Sequence, residues 1–233
     1  MEFPDPLLRG TLVKRYKRFM ADVVLENGDT VTAHCANTGA MLGVQEPGSE
    51  VWLSPACNPD RKLKFTWEMI RIGDGLVGIN TAHPNKIVAE AIEAGRIPEL
   101  DGYDDLRREV KYGKNSRIDI LLSGGGKPDC YVEIKNVHLM REPGVAEFPD
   151  SVSSRAAKHQ GELANMVEQG ARAVTVYLCQ REDCASFRLA VDIDPDYAKA
   201  AADAKSSGVE AVCYACELTP DGITVSRRLE LHL

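Results

Sequence analysis

Hydrophobic and polar residues alternate most clearly in two stretches near the middle of the chain, residues 116–122 and 131–137. A period of two residues is typical of β-strands that have one buried face. Three glycines followed by Lys-Pro lie between the stretches, at 124–128, and this composition favours a turn. The pattern therefore predicts a β-hairpin. Its apolar positions alternate along each strand, at Ile118, Ile120 and Leu122 and then at Val132 and Ile134.

This hairpin places charges of the same sign next to each other. If it is centred on Gly126, Asp119 lies opposite Glu133, and Arg117 lies opposite Lys135. Cross-strand Cβ atoms are ~5 Å apart, and like charges at that distance destabilise a sheet. Two carboxylates beside a lysine favour a site for Mg²⁺ or Mn²⁺. The alternative is a solvated sheet face on which Asp119 reaches diagonally to Lys135, and the register decides between the two.

The first third of the chain has a different pattern. Between residues 7 and 72, short apolar stretches alternate with turns such as Asn27-Gly28, and a helical period is almost absent. Five short strands fit a small barrel of the OB type, and we assign residues 1–80 to it. Such barrels often bind single-stranded nucleic acid through basic grooves and aromatic side chains. Tyr16 and Phe19 lie among basic residues and either contact a ligand or fill the barrel.

The pattern changes again after residues 73–84, a glycine-containing passage that we interpret as a linker. Residues 84–97 and 153–170 have the period and the end residues of amphipathic helices. Residues 172–180 form an apolar run typical of a strand buried on both faces. With the hairpin and the strand before it, the order is αβββαβ. The sequence therefore predicts a two-domain protein with mixed α and β structure (α/β or α+β), whose second domain spans residues 81–233.

Composition and charge limit the function classes. The 233 residues are 44% hydrophobic and 27% charged, which is ordinary for a soluble globular protein. The sequence shows no secretory signal and no apolar run long enough to cross a membrane, so we expect a cytoplasmic protein without a membrane partner. The net charge of −7 is unusual for a nucleic-acid binder. However, residues 1–72 are neutral and hold a basic cluster. That cluster comprises Arg9, Lys14, Arg15, Lys17 and Arg18.

Several motifs resemble those of known families. The pattern of Asp119 followed by Glu133-Ile134-Lys135 resembles the PD-(D/E)xK nuclease core of restriction enzymes and Holliday-junction resolvases. Three longer stretches, at 32–41, 116–122 and 147–163, are similar to the sugar fermentation stimulation protein family, and the similarity covers essentially the entire chain. The resemblance implies an OB-like domain, a nuclease-like domain and DNA binding. The family's name refers to a proposed regulatory link to sugar metabolism, particularly that of maltose.

The resemblance also implies roles for the charged residues of the hairpin. Asp119 and Glu133 hold the metal ion, with help from the backbone carbonyl of Ile134. Lys135 polarises the attacking water or stabilises the charge that develops on the phosphate. A third acid in this core usually comes from the first helix. Glu90 is the preferred candidate because it borders the apolar stripe of that helix, although it could instead be a solvent-facing residue.

The second helix contributes further candidates. Gln160 is the residue type expected at its position in many nucleases of this core, and we include it among the catalytic residues. Lys158 and His159 could reach a phosphate or a metal-bound water, or they could be ordinary exposed helix residues. Arg155 could hold a phosphate through two parallel hydrogen bonds or simply be solvated at the helix start.

The remaining nucleic-acid contacts are expected from the barrel. The turn Asn37-Thr38-Gly39 follows a strand end, where a loop can present polar groups to a ligand. The same residues are equally typical of a turn that needs Asn and Gly geometry. The residues predicted to contact nucleic acid are Arg15, Lys17, Arg18, His34, Asn37, Thr38, Arg117, Arg155 and Lys158.

The leading functional hypothesis is a DNA-binding protein with a Mg²⁺- or Mn²⁺-dependent phosphodiesterase site on its second domain. The main alternative is a non-catalytic, largely sequence-nonspecific DNA-binding regulator of sugar (maltose) metabolism. A third is a small-molecule or RNA module based on the barrel alone. The sequence leaves the oligomeric state open, a homodimer included.

Overall fold

The computed structural model describes residues 1–58, 60–113 and 116–233. These residues form a β-barrel followed by a mixed sheet with helices on both faces. The predicted fold, an OB-like barrel followed by an α/β domain with an αβββαβ core, is confirmed. Among the described residues, no helix combines the length and the apolar character needed to cross a membrane.

The first domain consists of short strands. In chain order they are β1 (Leu8–Tyr16), β2 (Met20–Leu25), β3 (Thr30–Cys35), β4 (Glu50–Pro55), β5 (Phe65–Ile72) and β6 (Gly75–Gly78). Their spatial order is β3-β2-β1-β4-β5-β6, and parallel pairing between β3 and β5 closes the first five into a barrel. The five predicted strands are therefore present. Strand β6 lies in the stretch predicted as a linker, where it pairs with β5.

Close packing between β1 and β2 depends on a glycine. The barrel interior is filled by buried side chains such as Leu12, Val23 and Trp67. At Gly10 an added Cβ would lie 2.6 Å from Cγ1 of Val23 and 2.8 Å from the carbonyl oxygen of Val24. The two strands therefore approach each other at a distance that only glycine permits at this position.

The second domain begins with helix α1 and forms two sheets. Its elements are α1 (Pro84–Glu93), β7 (Asp105–Tyr112), β8 (Ser116–Ser123), β9 (Cys130–Val137), β10 (Leu139–Glu142), β11 (Val145–Phe148), α2 (Ser154–Glu168), β12 (Arg172–Cys179), β13 (Ser186–Leu189), α3 (Pro195–Ser206), β14 (Glu210–Thr219), β15 (Gly222–Arg228) and β16 (Glu230–His232). The main sheet has the order β15-β14-β12-β9-β8-β7, and a smaller sheet has the order β10-β11-β13-β16.

Helices cover both faces of the main sheet. Ile87 and Val88 of α1 pack in one core cluster, and Leu163 of α2 packs with Ala204 of α3 in another. The first cluster also contains Trp52 of the barrel, so the two domains share a core. The αβββαβ order is formed by α1, β7, β8, β9, α2 and β12. The hairpin of β10 and β11 is inserted between β9 and α2.

The central hairpin has the predicted register. Ile120 pairs with Val132 and Leu122 with Cys130, as expected for a turn centred on Gly126. All three glycines at 124–126 have left-handed backbone angles, with φ between 65° and 85°. The β8–β9 ladder runs from Leu122–Cys130 to Ile120–Val132. Beyond it, β8 stays paired with β7, and β9 stays paired with β12.

Two glycine substitutions test this account of packing. We expect Gly10→Ala to destabilise the protein by about 1–3 kcal/mol, because the new methyl group meets Val23 and the backbone of β2. Gly161 lies in the middle of α2, and an added Cβ there meets nothing within 4 Å. Gly161→Ala should therefore stabilise the helix by roughly 0.5–1 kcal/mol. Unfolding curves of both variants measure the difference, and equal effects of the two substitutions would contradict the account.

Candidate active site

A cleft of about 1200 Å³ opens where β8 and β9 separate. Its walls come from the segment that leads into α1, from the ends of β8 and β9, and from the first turns of α2. The structure brings seven of the candidate side chains to this cleft. They are Arg117, Asp119, Glu133, Lys135, Arg155, Lys158 and His159.

Glu133 lies on the floor of the cleft with only 4% of its surface exposed. Its Oε1 atom accepts hydrogen bonds from Nζ of Lys135 at 2.8 Å and from Nδ1 of His159 at 2.6 Å. Burial by itself raises the pKa of Glu133, but the hydrogen bond from His159 and the charge of Lys135 outweigh burial and lower that pKa below its ordinary value. The Oε2 atom is buried and has no hydrogen-bond partner in the described part of the chain.

Asp119 is held by both oxygen atoms of its carboxyl group. Its Oδ2 accepts a hydrogen bond from the backbone N–H of Ile134 at 2.7 Å, and its Oδ1 accepts one from Nδ2 of Asn85 at 2.9 Å. Burial and then the negative charge of Glu133 raise the pKa of Asp119 to about 6. The two carboxyl groups therefore repel each other in a partly dry cleft. A bound cation would relieve that repulsion.

His159 fixes the orientation of Glu133 from the first turns of α2. An ionised carboxylate can only accept a hydrogen bond, so Nδ1 of His159 carries the proton in this contact. Its Nε2 atom then accepts a long 3.5 Å hydrogen bond from Nε of Arg155. His159 is buried, with 6% of its surface exposed, so the interpretation of an exposed helix residue is wrong.

Two residues of the cleft were not singled out by the sequence analysis. Asn85, in the first turn of α1, donates from Nδ2 both to Asp119 and to Oε1 of Glu109, the latter at 2.8 Å. Glu109 lies in β7 opposite Asp119, between the paired residues Arg108–Ile120 and Val110–Ile118. Its backbone has a φ of 55°, which is rare for a residue other than glycine. The available signal was the position of Asn85 directly after Pro84 at a helix start.

The structure places Glu90 away from the cleft, so its assignment as the third acid is wrong. Its Oε2 lies 2.7 Å from the amino nitrogen of Met1, and its Oε1 lies 3.7 Å from Nζ of Lys86. The helix face that carries Glu90 is turned toward the chain start. The side chain of α1 that reaches Asp119 is the amide of Asn85, five residues earlier.

Gln160 is also absent from the cleft lining. Its side chain is 2% exposed and packs between α2, β12 and α3. Its Nε2 atom lies 3.2 Å from Oγ1 of Thr175 and 3.3 Å from the hydroxyl of Tyr197. Gln160 therefore holds helices and sheet together, and its neighbour His159 is the residue of this turn that contacts the acids.

Two predicted DNA-binding arginines of the barrel instead hold the loop at 36–41. Arg15 donates through Nη2 to the carbonyl oxygens of Asn37 and Gly39, both at 3.0 Å. Arg18 donates to the carbonyl oxygen of Thr38 at 2.7 Å. Asn37 is 2% exposed, and its Oδ1 accepts from the N–H of Gly39. The turn interpretation of this motif therefore accounts for the contacts of Asn37.

The same loop is docked on the second domain. Oδ2 of Asp150 accepts from the N–H of Met41 at 2.9 Å, and Oγ1 of Thr81 donates to the carbonyl oxygen of Ala36 at 2.6 Å. Thr81 also lines the cleft. Asp150 lies just before α2, whose first turns form the opposite wall. The loop thus connects the barrel to both walls of the cleft.

Three other barrel residues lie outside the cleft. Lys17 and Thr38 are exposed on neighbouring turns. His34 is partly buried on the outer side of β3, opposite Met20. Burial and then the charge of Arg61 lower the pKa of His34. Their predicted contacts with nucleic acid stay predictions.

Comparisons with known proteins agree with this architecture. Residues 13–79 match the family described as "SfsA N-terminal OB domain", and residues 82–222 match the family described as "Sugar fermentation stimulation protein RE domain". The chain is 61% identical over 233 residues to a "Sugar fermentation stimulation protein homolog" from Paramagnetospirillum magneticum, covering 100% of this chain and 98% of that protein. A homolog from Rhodospirillum centenum is 59% identical over 231 residues, covering 99% of each chain.

A solved structure is also similar over the whole chain. It is described as the structure of Pyrococcus furiosus SfsA in complex with Ca²⁺. The two chains are 27% identical and superpose with a TM-score of 0.89, over 100% of this chain and 98% of the other.

The raised pKa of Asp119 predicts a pH-dependent contribution to stability. Because that pKa is about 6 in the folded protein and 3.8 ordinarily, the folded state holds the proton more tightly than the unfolded chain. This stabilisation is present below pH ~4 and is lost as the pH rises through ~6. Asp119→Asn cannot ionise, so it should gain stability relative to the wild type by up to about 3 kcal/mol between pH 4 and pH 7. Unfolding curves recorded without divalent cations measure this gain.

Glu93 provides the control, because it is an exposed acid at the end of the same domain's first helix. The stability difference between Glu93→Gln and the wild type should change little over the same pH range. A difference for Asp119→Asn that stayed constant with pH would contradict the assigned environment of Asp119.

Proposed function

The chain belongs to the sugar fermentation stimulation protein family, and we propose that it is a cytoplasmic DNA-binding protein that hydrolyses phosphodiester bonds in its cleft with Mg²⁺ or Mn²⁺. The observation that carries the proposal is the pair of carboxylates, Asp119 and Glu133, at the point where two strands separate. The separation leaves both acids facing an open cleft. The amine of Lys135 lies in the same cleft, and further cationic side chains line its opening.

The donor set of the cleft fits a divalent cation. The buried, unpartnered Oε2 of Glu133 is an oxygen ligand that costs free energy while nothing binds it. Asp119 supplies a second carboxylate, and the carbonyl of Ile134 is the third protein oxygen that we assign. In the described part of the chain, no group of three His, Cys, Asp or Glu side chains is arranged to hold an ion by itself. Mg²⁺ usually keeps several waters and binds through one or two carboxylates plus phosphate oxygens, and the cleft supplies two carboxylates.

The similar structure from Pyrococcus furiosus is described as a complex with Ca²⁺. Ca²⁺ and Mg²⁺ both take oxygen ligands. That description supports the proposal that this chain binds a divalent cation.

The other residues of the cleft have separable roles in the proposed reaction. When bound, the cation activates water and neutralises charge on the phosphate. His159 holds Glu133 in place through Oε1, so that Oε2 remains free. Lys135 lies beside the same oxygen, and its ammonium group stabilises negative charge on the phosphate as it develops. Asn85 holds Asp119 from the opposite wall.

Cations at the mouth of the cleft favour a phosphate backbone as the ligand. Arg117, Arg155 and Lys158 line the opening, and Lys158 is partly neutralised by Glu162 at 3.3 Å. The protein as a whole carries a net charge of −7, so its overall charge does not favour broad coating of DNA. We therefore propose a narrow contact of a few phosphates, which weakens as salt concentration rises.

A cleavage assay with an Asp119 variant tests the proposal. Single-stranded, duplex and branched DNA are incubated with the protein in Mg²⁺ or in Mn²⁺. We expect cleavage of at least one substrate, and Asp119→Ala should reduce it by roughly 100-fold or more. Glu93→Ala, which removes an exposed acid outside the cleft, should cleave like the wild type.

Lys135→Ala distinguishes the role of the amine from that of the metal ligands. It should lose cleavage while it still binds divalent cations, because the amine is assigned to the phosphate. If the wild type binds DNA but cleaves none of the substrates with either cation, the catalytic proposal is contradicted. That result would favour the alternative of a non-catalytic DNA-binding regulator.

A further inference from the structure

The tip of the hairpin between β1 and β2 carries an exposed aromatic ring, that of Phe19, next to the cationic residues Lys17 and Arg18. Three residues, Lys17, Arg18 and Phe19, connect the paired residues Tyr16 and Met20. All three are exposed, and Phe19 has 47% of its surface accessible. Tyr16 is partly buried and bonded through its hydroxyl to Asp22. Nζ of Lys14 also lies 5.3 Å from the centre of the Tyr16 ring, so Phe19 is the more accessible of the two aromatic side chains.

The backbone of this tip is unfavourable for the residues that occupy it. Lys17 and Arg18 both have left-handed conformations, with φ values of 50° and 65°. Such a conformation costs roughly 1–2 kcal/mol for a residue with a Cβ atom. The next hairpin of the same barrel has Asn27-Gly28, which adopts its turn at little cost. The hydrogen bond from Arg18 to the carbonyl oxygen of Thr38 accounts for one of these residues, whereas turn stability does not account for Lys17.

The tip has a fixed position relative to the cleft. The guanidinium of Arg18 donates to the carbonyl oxygen of Thr38, and the carbonyl oxygen of Phe19 accepts from the N–H of Cys35 at 2.8 Å. The loop that follows Cys35 is in turn bonded to Thr81 at the cleft wall. The loop at 36–41 therefore connects the hairpin tip that carries Phe19 to the wall of the proposed site. The guanidinium of Arg18 is used within the protein, whereas Lys17 has no partner among the described residues.

We propose that Phe19 is a stacking site for an unpaired nucleobase, with Lys17 binding the adjacent phosphate. This proposal rests on the proposed function and names its substrate as DNA that has an unpaired segment next to the cleft. A single ring on a convex tip can stack only on a base whose π-face is free, and base pairs in an intact duplex hide those faces. The positive charge beside the ring complements the phosphate that follows each base. Stacking together with a cation tolerates any sequence, since every base has a π-face.

Binding measurements with matched variants test this site. Fluorescence anisotropy gives the affinity of each protein for a labelled oligothymidylate of about 20 nucleotides and for a blunt duplex of equal length. We expect Phe19→Ala to weaken binding of the oligothymidylate by about 10-fold, since loss of stacking costs roughly 1–3 kcal/mol per base. Binding of the duplex should change less than about twofold. The control is Val13→Ala, which removes a 42% exposed apolar side chain from β1; it should bind both probes like the wild type.

A tryptophan at the same position reports the contact directly. The native Trp52 and Trp67 are buried, so the emission of a tryptophan introduced by Phe19→Trp should stand out at longer wavelength. Stacking predicts that the oligothymidylate quenches this emission and that the duplex does not. Equal unfolding midpoints for the variants and the wild type exclude misfolding as the cause.

The outcomes separate this proposal from the one on which it rests. If the wild type binds and cleaves DNA while Phe19→Ala retains full affinity and Phe19→Trp is not quenched, the stacking site is wrong and the nuclease proposal stands. If the wild type binds none of the DNA probes, both proposals are wrong.

Discussion

The separation of β8 from β9 after the Ile120–Val132 pair is the constraint on which the site depends. If the ladder continued, Asp119 and Glu133 would lie opposite each other, with their like charges at the close spacing of paired strands. Instead the N–H of Ile134 bonds to the side chain of Asp119. The N–H of Ile134 therefore donates to a carboxylate and not to a backbone carbonyl of β8. This exchange opens the cleft and fixes one of its acids at the same time.

The rest of the molecule is arranged around this opening. Helix α2 brings His159 to Glu133, and α1 brings Asn85 to Asp119, so each acid is held by a different helix. The barrel contributes through the loop at 36–41, which is bonded to Asp150 before α2 and to Thr81 before α1. Changes in the barrel loop can therefore reach both walls of the cleft. The two domains form one structural unit at the proposed site.

The sequence predicted those features that depend on alternation and turn chemistry. Three glycines fixed the centre of the hairpin, and the register between Ile120 and Val132 followed from it. Errors arose where rotation about a helix axis or local backbone distortion decides the outcome. Glu90 and Gln160 lie on helix faces that are turned away from the cleft. The apolar stripe of a helix shows which side is buried, but it does not show which of two neighbouring residues points into a site. Local backbone distortion affects Ile118, which does not share a core cluster with Ile120 and Leu122 although it alternates with them. It packs with Tyr112 and Leu121 instead, and the neighbouring strand there contains Glu109 in a left-handed conformation.

Anomalous diffraction from crystals grown with Mn²⁺ tests the central claim most directly, because it locates the ion and its ligands without relying on turnover. The account predicts a peak in the cleft within bonding distance of Oε2 of Glu133 and a carboxylate oxygen of Asp119, and loss of that peak in Glu133→Gln. A peak elsewhere, or an ordered Mn²⁺-free cleft in which Oε2 of Glu133 is bonded to another protein group, would contradict it.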